Sequence, residues 1–183
     1  KAVPGEGNTS AKIIFVGEAP GFNEDKQGRP FVGRAGQLLE DLLKGIGLKR
    51  SDVWIGNVIK HRPPDNRDPM VDELRACRPY LSDQIKAIKP KLIVPLGRFA
   101  MAEYLADAKI SEVHGKVFRV LEYAVLPLYH PAAALRSEAV LRELNSDFRK
   151  IVPAFTAPLE SLPRWGKVSV PEGGEAQMLL FNF

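Results

Sequence analysis

The sequence predicts an α/β protein, in which a central, mostly parallel sheet of four strands lies between two layers of helices. Two observations predict this fold class. Four short runs are apolar on both faces, as in strands that helices cover on each side, and amphipathic stretches separate these runs. Strands that alternate with helices usually form parallel sheets. The predicted architecture is therefore three layers, α/β/α, around one core.

The four predicted strands are residues 12–16, 53–59, 91–96 and 124–128. Between and after them, leucine and isoleucine recur at three- and four-residue steps, which predicts helices over residues 34–46, 71–88, 99–106 and 134–151. From Val152 onward, prolines interrupt any long helical pattern. We therefore predict a domain over residues 1–151 and a Pro/Gly-rich tail over residues 152–183 with an apolar end.

Composition excludes several classes of protein. The chain has 183 residues, of which 45% are hydrophobic and 26% charged, so it can bury a core and is not disordered throughout. No apolar run reaches the roughly 18–20 residues that span a bilayer, and we expect no membrane partner. A single cysteine excludes a disulfide framework and predicts a cytoplasmic, nucleoid-associated monomer. The net charge of +4 is compatible with a polyanionic partner.

Three of the predicted strands run directly into polar loops. Residues 17–21 and 30–33 follow the first strand, residues 60–67 follow the second, and residues 130–136 follow the last. Ligands of open α/β sheets bind beyond the carboxyl ends of the strands. We therefore expect these loops to converge at one edge of the sheet and to form the functional site.

Most side chains in these loops allow two interpretations. The Asn57 amide can pair with a nucleobase or tie two loops together. His130 can donate a hydrogen bond to a leaving group or cap a surface turn. Phe31 can stack on a flat ring or lie in the core. Leu135 beside Arg136 can enter a base stack as an apolar wedge or belong to a solvated rim.

In combination, four sequence blocks closely resemble the family 4 uracil-DNA glycosylases. The resemblance covers residues 3–151 and implies the fold of that superfamily. It also implies a monofunctional enzyme that flips deoxyuridine out of single- or double-stranded DNA. The enzyme would then hydrolyse the N-glycosidic bond, which starts base excision repair. The blocks are Gly17–Gly21, Gly28–Gly33, Asn57–Pro69 and His130–Arg136.

The resemblance also implies roles for individual residues. Phe31 would stack on uracil, Asn57 would read its Watson–Crick edge, and His130 would stabilise O2 of the departing base. Glu18, with Ala19 and Pro20, would line the pocket near the sugar, and Glu24 would lie near C5 and help to exclude the methyl group of thymine. The implied catalytic residues are Glu18, Asn57 and His130. The implied DNA-binding residues are Lys60, Arg62, Asn66, Arg67, Pro131, Leu135 and Arg136.

One departure from the family concerns its four-cysteine iron–sulfur cluster. Cys77 occupies the last of the four positions and His61 the third, whereas the first pair would precede residue 3. We therefore predict no metal site and no cofactor required for chemistry. A [4Fe-4S] cluster is expected only if an upstream Cys-x-x-Cys segment is missing from this chain.

The end of the chain resembles a short peptide that binds the replication sliding clamp. The residues concerned are Gln177–Phe183, and the alternative is an apolar tail that folds back as an edge strand. A clamp is therefore a candidate partner in addition to uracil-containing DNA.

Three other functions compete with uracil removal. A glycosylase of the same fold could act on other deaminated bases, but Asn57 favours uracil. A non-catalytic reader of uracil in DNA would not need both Glu18 and His130. A hydrolase of free nucleotides would have no use for the wedge formed by Leu135 and Arg136.

Overall fold

The computed structural model describes residues 1–166, and these residues contain one six-stranded sheet with the strand order β1-β3-β2-β4-β6-β5. The four central strands pair in parallel, and the short strands β1 and β5 pair antiparallel at the two edges. The predicted α/β class and the four predicted strands are confirmed, and the two edge strands are additional. The strands are β1 Glu6–Gly7, β2 Ile13–Gly17, β3 Trp54–Asn57, β4 Leu92–Pro95, β5 Phe118–Val120 and β6 Tyr123–Val125.

Eight α-helices surround this sheet within the described residues. They are α1 Phe22–Gln27, α2 Arg34–Gly45, α3 Val71–Ile88, α4 Arg98–Ala102, α5 Ile110–Val113, α6 Pro131–Ala134, α7 Glu138–Phe148 and α8 Ile151–Thr156. The single helix predicted over residues 134–151 is interrupted. The side chain of Ser137 accepts a hydrogen bond from the Val140 amide and starts α7 as a separate helix.

Successive residues of β2 point to opposite faces of the sheet and therefore to two separate cores. Ile13 and Phe15 pack with residues of α2, α7 and α8, and the Phe15 ring stacks on Phe148 at 5.8 Å between centroids. Ile14 and Val16 pack with residues of α3 and α4 on the other face. This alternation produces the predicted three layers.

The predicted domain boundary at residue 151 is wrong, because the core continues past it. Ile151 begins α8, and Ala154 and Leu162 are buried in the same core as α2 and α7. Pro153 lies in the first turn of α8, where a backbone N–H has no helical partner, so this proline does not disrupt the helix. The Gln177–Phe183 segment lies outside the described residues. Within residues 1–166, no helix has the length and apolarity needed to cross a bilayer.

Candidate active site

The carboxyl ends of β2 and β3 place two of the predicted site residues side by side. Gly17, the last residue of β2, pairs in register with Asn57, the last residue of β3. A Cβ atom at Gly17 would lie 2.5 Å from Asn57 Oδ1 and 2.6 Å from Cζ of Phe31. Only glycine fits here, since any larger residue would overlap both side chains. The expected convergence of the first two loops is therefore present.

Asn57 is a buried polar residue with an orphaned acceptor. The residue is 1% exposed, and its Oδ1 atom has no hydrogen-bond partner among the described residues. A buried polar atom without a partner costs about 1–3 kcal/mol. Such a cost at the end of a central strand indicates an acceptor that is prepared for an N–H group of a ligand.

Phe31 is held beside Asn57 in a strained backbone conformation. Its φ angle is +51°, in the left-handed region that bulky residues rarely adopt. On one side, the Arg50 guanidinium donates to the carbonyls of Pro30 and Phe31, the latter at 2.9 Å. On the other side, a Cβ at Gly36 would lie 1.9 Å from the Phe31 carbonyl oxygen, so α2 approaches this loop as closely as glycine allows.

Glu24 fixes the same loop from α1. Its Oε1 atom accepts hydrogen bonds from the backbone amides of Val32 and Gly33, both at 2.9 Å. This carboxylate therefore anchors the two residues that follow Phe31. The place of Glu24 near C5 of a bound base stays a prediction. Its hydrogen bonds to the Phe31 loop were not predicted from the sequence.

His130 presents a defined hydrogen-bond donor to the site. Its Nδ1 atom accepts from the Ala132 amide at 3.0 Å as the N-cap of α6. Burial lowers the pKa of His130 to about 4, and the Glu24 carboxylate opposes this shift. The ring is therefore neutral near pH 7, and because Nδ1 is an acceptor, Nε2 carries the proton.

The ring of His130 also joins the cluster formed by Phe31 and Asn57. It stacks on Phe31 with 5.5 Å between the ring centroids and 26° between the ring planes. Gly97, which follows β4, permits this position, because a Cβ there would lie 3.1 Å from the Cβ of His130. The loops after β2, β3 and β6 thus meet as predicted.

Glu18 follows Gly17 directly and has a perturbed carboxyl group. Burial raises the pKa of Glu18, the neighbouring carboxylate of Asp68 raises it further, and Arg98 acts in the opposite direction. Asp68 and Arg98 form an ion pair with each other. Sequence reasoning missed both residues. The available signals were the position of Arg98 after Gly97 at the end of β4 and the place of Asp68 in the polar loop that follows β3.

The two residues after Glu18 complete the turn. Ala19 is half-buried against the α3 side of the core, and Pro20 is buried. The Glu18 carbonyl accepts from the Ile59 amide at 3.1 Å, which ties this turn to the loop after β3. Their predicted contact with a ligand stays a prediction.

Lys60 does not lie where a DNA-binding residue should, and that prediction is wrong. It is 6% exposed, and its Nζ atom donates to the Asn57 carbonyl and to Gln84 Oε1, both at 2.8 Å. Burial lowers the pKa of Lys60 to about 8. The ammonium group therefore supports the backbone of Asn57 from inside the protein and cannot reach a phosphate.

The other predicted DNA-binding residues divide into two groups. Arg67 forms a two-pronged ion pair with Glu73 at 2.9 and 2.7 Å, which fastens its loop to the start of α3. The rest lie at or near the surface around the site, apart from the buried Pro131, and their contact with DNA stays a prediction. These residues are Arg62, Asn66, Leu135 and Arg136.

Of the two residues at former cluster positions, Cys77 carries a thiol, whereas His61 lacks the thiolate that normally ligates a [4Fe-4S] cluster. Cys77 Sγ accepts from the Lys60 amide at 3.4 Å and packs against the α3 core, whereas His61 is exposed. Within residues 1–166, no three His, Cys, Asp or Glu side chains are grouped to hold a metal ion.

This chain is similar to known proteins over most of its length. A model of the uracil DNA glycosylase superfamily matches residues 4–155. The chain is 51% identical to a type-4 uracil-DNA glycosylase of Sulfurisphaera tokodaii, over 82% of this chain and 73% of that protein. It is 50% identical to a type-4 uracil-DNA glycosylase of Archaeoglobus fulgidus, over 81% of this chain and 79% of that protein. Its identity to one of Thermotoga maritima is 45%, over 82% and 77% respectively.

These matches extend over the sheet, both helical layers and the loops that carry Glu18, Asn57 and His130. The resemblance noted in four short blocks thus holds over most of the chain. On this basis, the chain belongs to the uracil DNA glycosylase superfamily.

Proposed function

We propose that this protein is a uracil-DNA glycosylase that removes uracil from DNA by hydrolysis of the N-glycosidic bond and so starts base excision repair. The observation that carries the proposal is one juxtaposition. The orphaned Oδ1 acceptor of Asn57, the ring of Phe31 and the neutral imidazole of His130 meet at the ends of three strands. The curated relatives, named as type-4 uracil-DNA glycosylases, support the same activity.

Asn57 supplies the discrimination between uracil and cytosine. Uracil carries a proton on N3, and cytosine does not. A fixed, unpaired acceptor such as Asn57 Oδ1 pairs with that N–H, whereas it would face the lone pair on N3 of cytosine. A polar group that finds no partner in a buried site is strongly rejected. The amide therefore selects the deaminated base, and the ring of Phe31 supports its flat face.

His130 acts on the leaving group. When the bond between C1′ and N1 breaks, its electron pair leaves with uracil, and negative charge builds on O2. The Nε2–H group of neutral His130 donates a hydrogen bond to that oxygen. By analogy with donors in oxyanion holes, such a bond is worth about 2.7–4 kcal/mol in the transition state.

Glu18 acts on the sugar. As the base departs, C1′ becomes electron-poor, and the Glu18 carboxylate stabilises that positive charge. The oxygen of a water molecule then bonds to C1′, and its proton passes to Glu18, from which it can neutralise the uracil anion. The raised pKa of Glu18 makes its carboxylate a better proton acceptor. These steps use only water and side chains of this chain.

The DNA side of the proposal rests on α6 and the residues that follow it. A duplex must be opened to present the base, at a cost of a few kcal/mol. Leu135 is 42% exposed directly after α6, and the exposed Arg136 is next to it. We infer that Leu135 enters the gap left by the flipped nucleotide, while Arg136 contacts the phosphate backbone.

Release of uracil from a labelled oligonucleotide with one deoxyuridine tests the activity. Matched oligonucleotides with thymine or hypoxanthine test the specificity. We expect the wild type to release uracil alone and Asn57→Ala to lose most of that activity. Release of hypoxanthine at a comparable rate would replace the proposal with a glycosylase for deaminated bases. Tight binding without release of any base would replace it with a reader of uracil in DNA.

For the sliding clamp, we propose Gln177–Phe183 as the binding segment, because its spacing of glutamine and apolar residues fits a clamp-binding peptide. Binding to the clamp would place the enzyme at the nucleoid in the cytoplasm. Truncation after Gly174 is expected to abolish binding to a purified clamp and to leave uracil release from short DNA unchanged. Clamp binding by the truncated chain would refute this assignment.

A further inference from the structure

Phe22 is an exposed aromatic residue at the rim of the site. It is the first residue of α1 and is 51% exposed. None of the six residues of α1 is buried, so this helix is not held by a core. Its link to the protein at the site is Glu24, which accepts hydrogen bonds from the loop that carries Phe31. Phe22 is therefore two residues from a side chain that shapes the proposed uracil pocket.

Two cations lie against the ring of Phe22. The Nζ atom of Lys26, one helical turn along α1, is 4.3 Å from the ring centroid. The guanidinium carbon of Arg62 is 5.3 Å from the same centroid, although Arg62 belongs to the loop after β3. The Nε atom of Arg62 also donates a hydrogen bond to Asn66 Oδ1 at 2.7 Å. Proteins that bind single-stranded nucleic acids combine such an aromatic face with nearby cations: the bases stack on the ring, and the cations bind the phosphates.

From these contacts we propose that Phe22 is a stacking platform for the base next to the flipped deoxyuridine in the same strand. Lys26 and Arg62 would bind the phosphates on either side of that base. The inference rests on the proposed function, since it needs a DNA strand that passes α1 as its deoxyuridine enters the proposed uracil pocket. In the free protein, the two cations rest on the ring. When DNA binds, the phosphates draw them from the ring, and the neighbouring base takes the uncovered face.

The chemistry favours a base over an apolar protein segment as the occupant. A protein segment that covers Phe22 would also desolvate two cations without offering them anions. A nucleotide offers both a flat π-face for the ring and a phosphate for the cations. Because every base has a π-face, this contact would be independent of sequence.

A fluorescence experiment tests the platform without any catalysis. Single-stranded oligonucleotides carry a stable abasic analogue in place of deoxyuridine and 2-aminopurine on its 5′ or its 3′ side. We expect the wild type to quench 2-aminopurine on one of the two sides and Phe22→Ala to abolish that quenching. Loss of one stacked base should weaken binding by about 5- to 150-fold. Phe22→Trp should restore both signals.

Two further variants separate stacking from structure. Phe22→Leu keeps an apolar side chain on α1 but has no flat ring, so it should behave like Phe22→Ala in quenching and affinity. Val152→Ala removes a similarly exposed apolar residue, 44% exposed on α8, and should change neither. With deoxyuridine substrates, Phe22→Ala should raise KM and leave kcat near the wild-type value.

Equal quenching and affinity for the wild type, Phe22→Ala and Phe22→Leu would overturn the proposal, and Phe22 would then serve another partner or none. Failure of the proposed function has a different signature. A wild type that quenches 2-aminopurine but releases no uracil would reject the glycosylase activity and keep the platform. A wild type that releases uracil, with Phe22→Ala unchanged in KM and quenching, would reject only the platform.

Discussion

Replacement of Asn57 by alanine should disable the enzyme, but it should raise the stability of the fold or leave that stability unchanged. Residues in the core usually show the opposite effect, because their truncation leaves a cavity. Asn57 differs because its Oδ1 atom is buried without a partner among residues 1–166. Removal of that atom relieves a penalty of about 1–3 kcal/mol. The lost packing of a small amide costs about 1 kcal/mol.

The net change in the free energy of unfolding is therefore between zero and a gain of about 2 kcal/mol. For a chain of this size, each 1 kcal/mol shifts Tm by about 2–4 °C, so Tm should stay constant or rise by up to about 8 °C. The effect on activity has the opposite sign. A uracil N3–H that is left unpaired in the pocket costs about 1–3 kcal/mol, which lowers kcat/KM by about 5- to 150-fold.

Thermal denaturation without ligand and single-turnover release of uracil measure the two effects separately. Tyr104→Phe is a matched control, because the Tyr104 hydroxyl is the second buried polar atom without a partner among the described residues and lies in the core on the α3 side. It should stabilise the fold without any effect on uracil release. A Tm several degrees below that of the wild type for Asn57→Ala would refute the claim that Asn57 Oδ1 is buried without a hydrogen-bond partner. Unchanged kcat/KM would refute its role in reading the base.

Three further outcomes follow from the site. Gly17→Ala should lower kcat/KM by at least tenfold, because the new Cβ would overlap Asn57 and Phe31, and a crystal structure should show both side chains displaced. The pKa of His130 is about 4 in the folded chain and about 6.5 in the unfolded chain, so the unfolded chain holds more protons between these two pH values. Stability should therefore fall as pH drops from 6.5 towards 4, and urea titrations should show a weaker dependence for His130→Gln. Leu135→Ala should slow uracil release from duplex DNA by tenfold or more and from single strands by much less, because little stacking must be broken there. Equal losses on both substrates would contradict the wedge.

The central sheet was predictable from sequence because its strands are buried on both faces and therefore contain continuous apolar runs. The edge strands were not. β1 has two residues and β5 has three, which is too short for any periodic pattern, and both depend on pairing with a neighbour. α1 was also missed, since no residue of this helix is buried and no apolar stripe marks it.

The site was predictable where topology alone decides position. Gly17, Asn57 and His130 lie at or just after the ends of strands, and parallel pairing brings such ends together. Lys60 was misjudged because residue type indicates charge and not direction, and the loop turns this side chain inward to Gln84. Contacts between distant segments, such as Arg50 with the Phe31 carbonyl, leave no local pattern in the sequence.

α6 joins two functions over a very short distance. His130 is the N-cap of this four-residue helix and Leu135 is its C-cap, so about 8 Å of rigid backbone separates them. In the proposed reaction, this helix therefore sets a fixed distance between the leaving-group donor and the wedge, so a duplex that admits Leu135 is held at a defined height relative to His130. Single-stranded DNA needs no wedge, and the Ala132 amide already orients His130 without DNA.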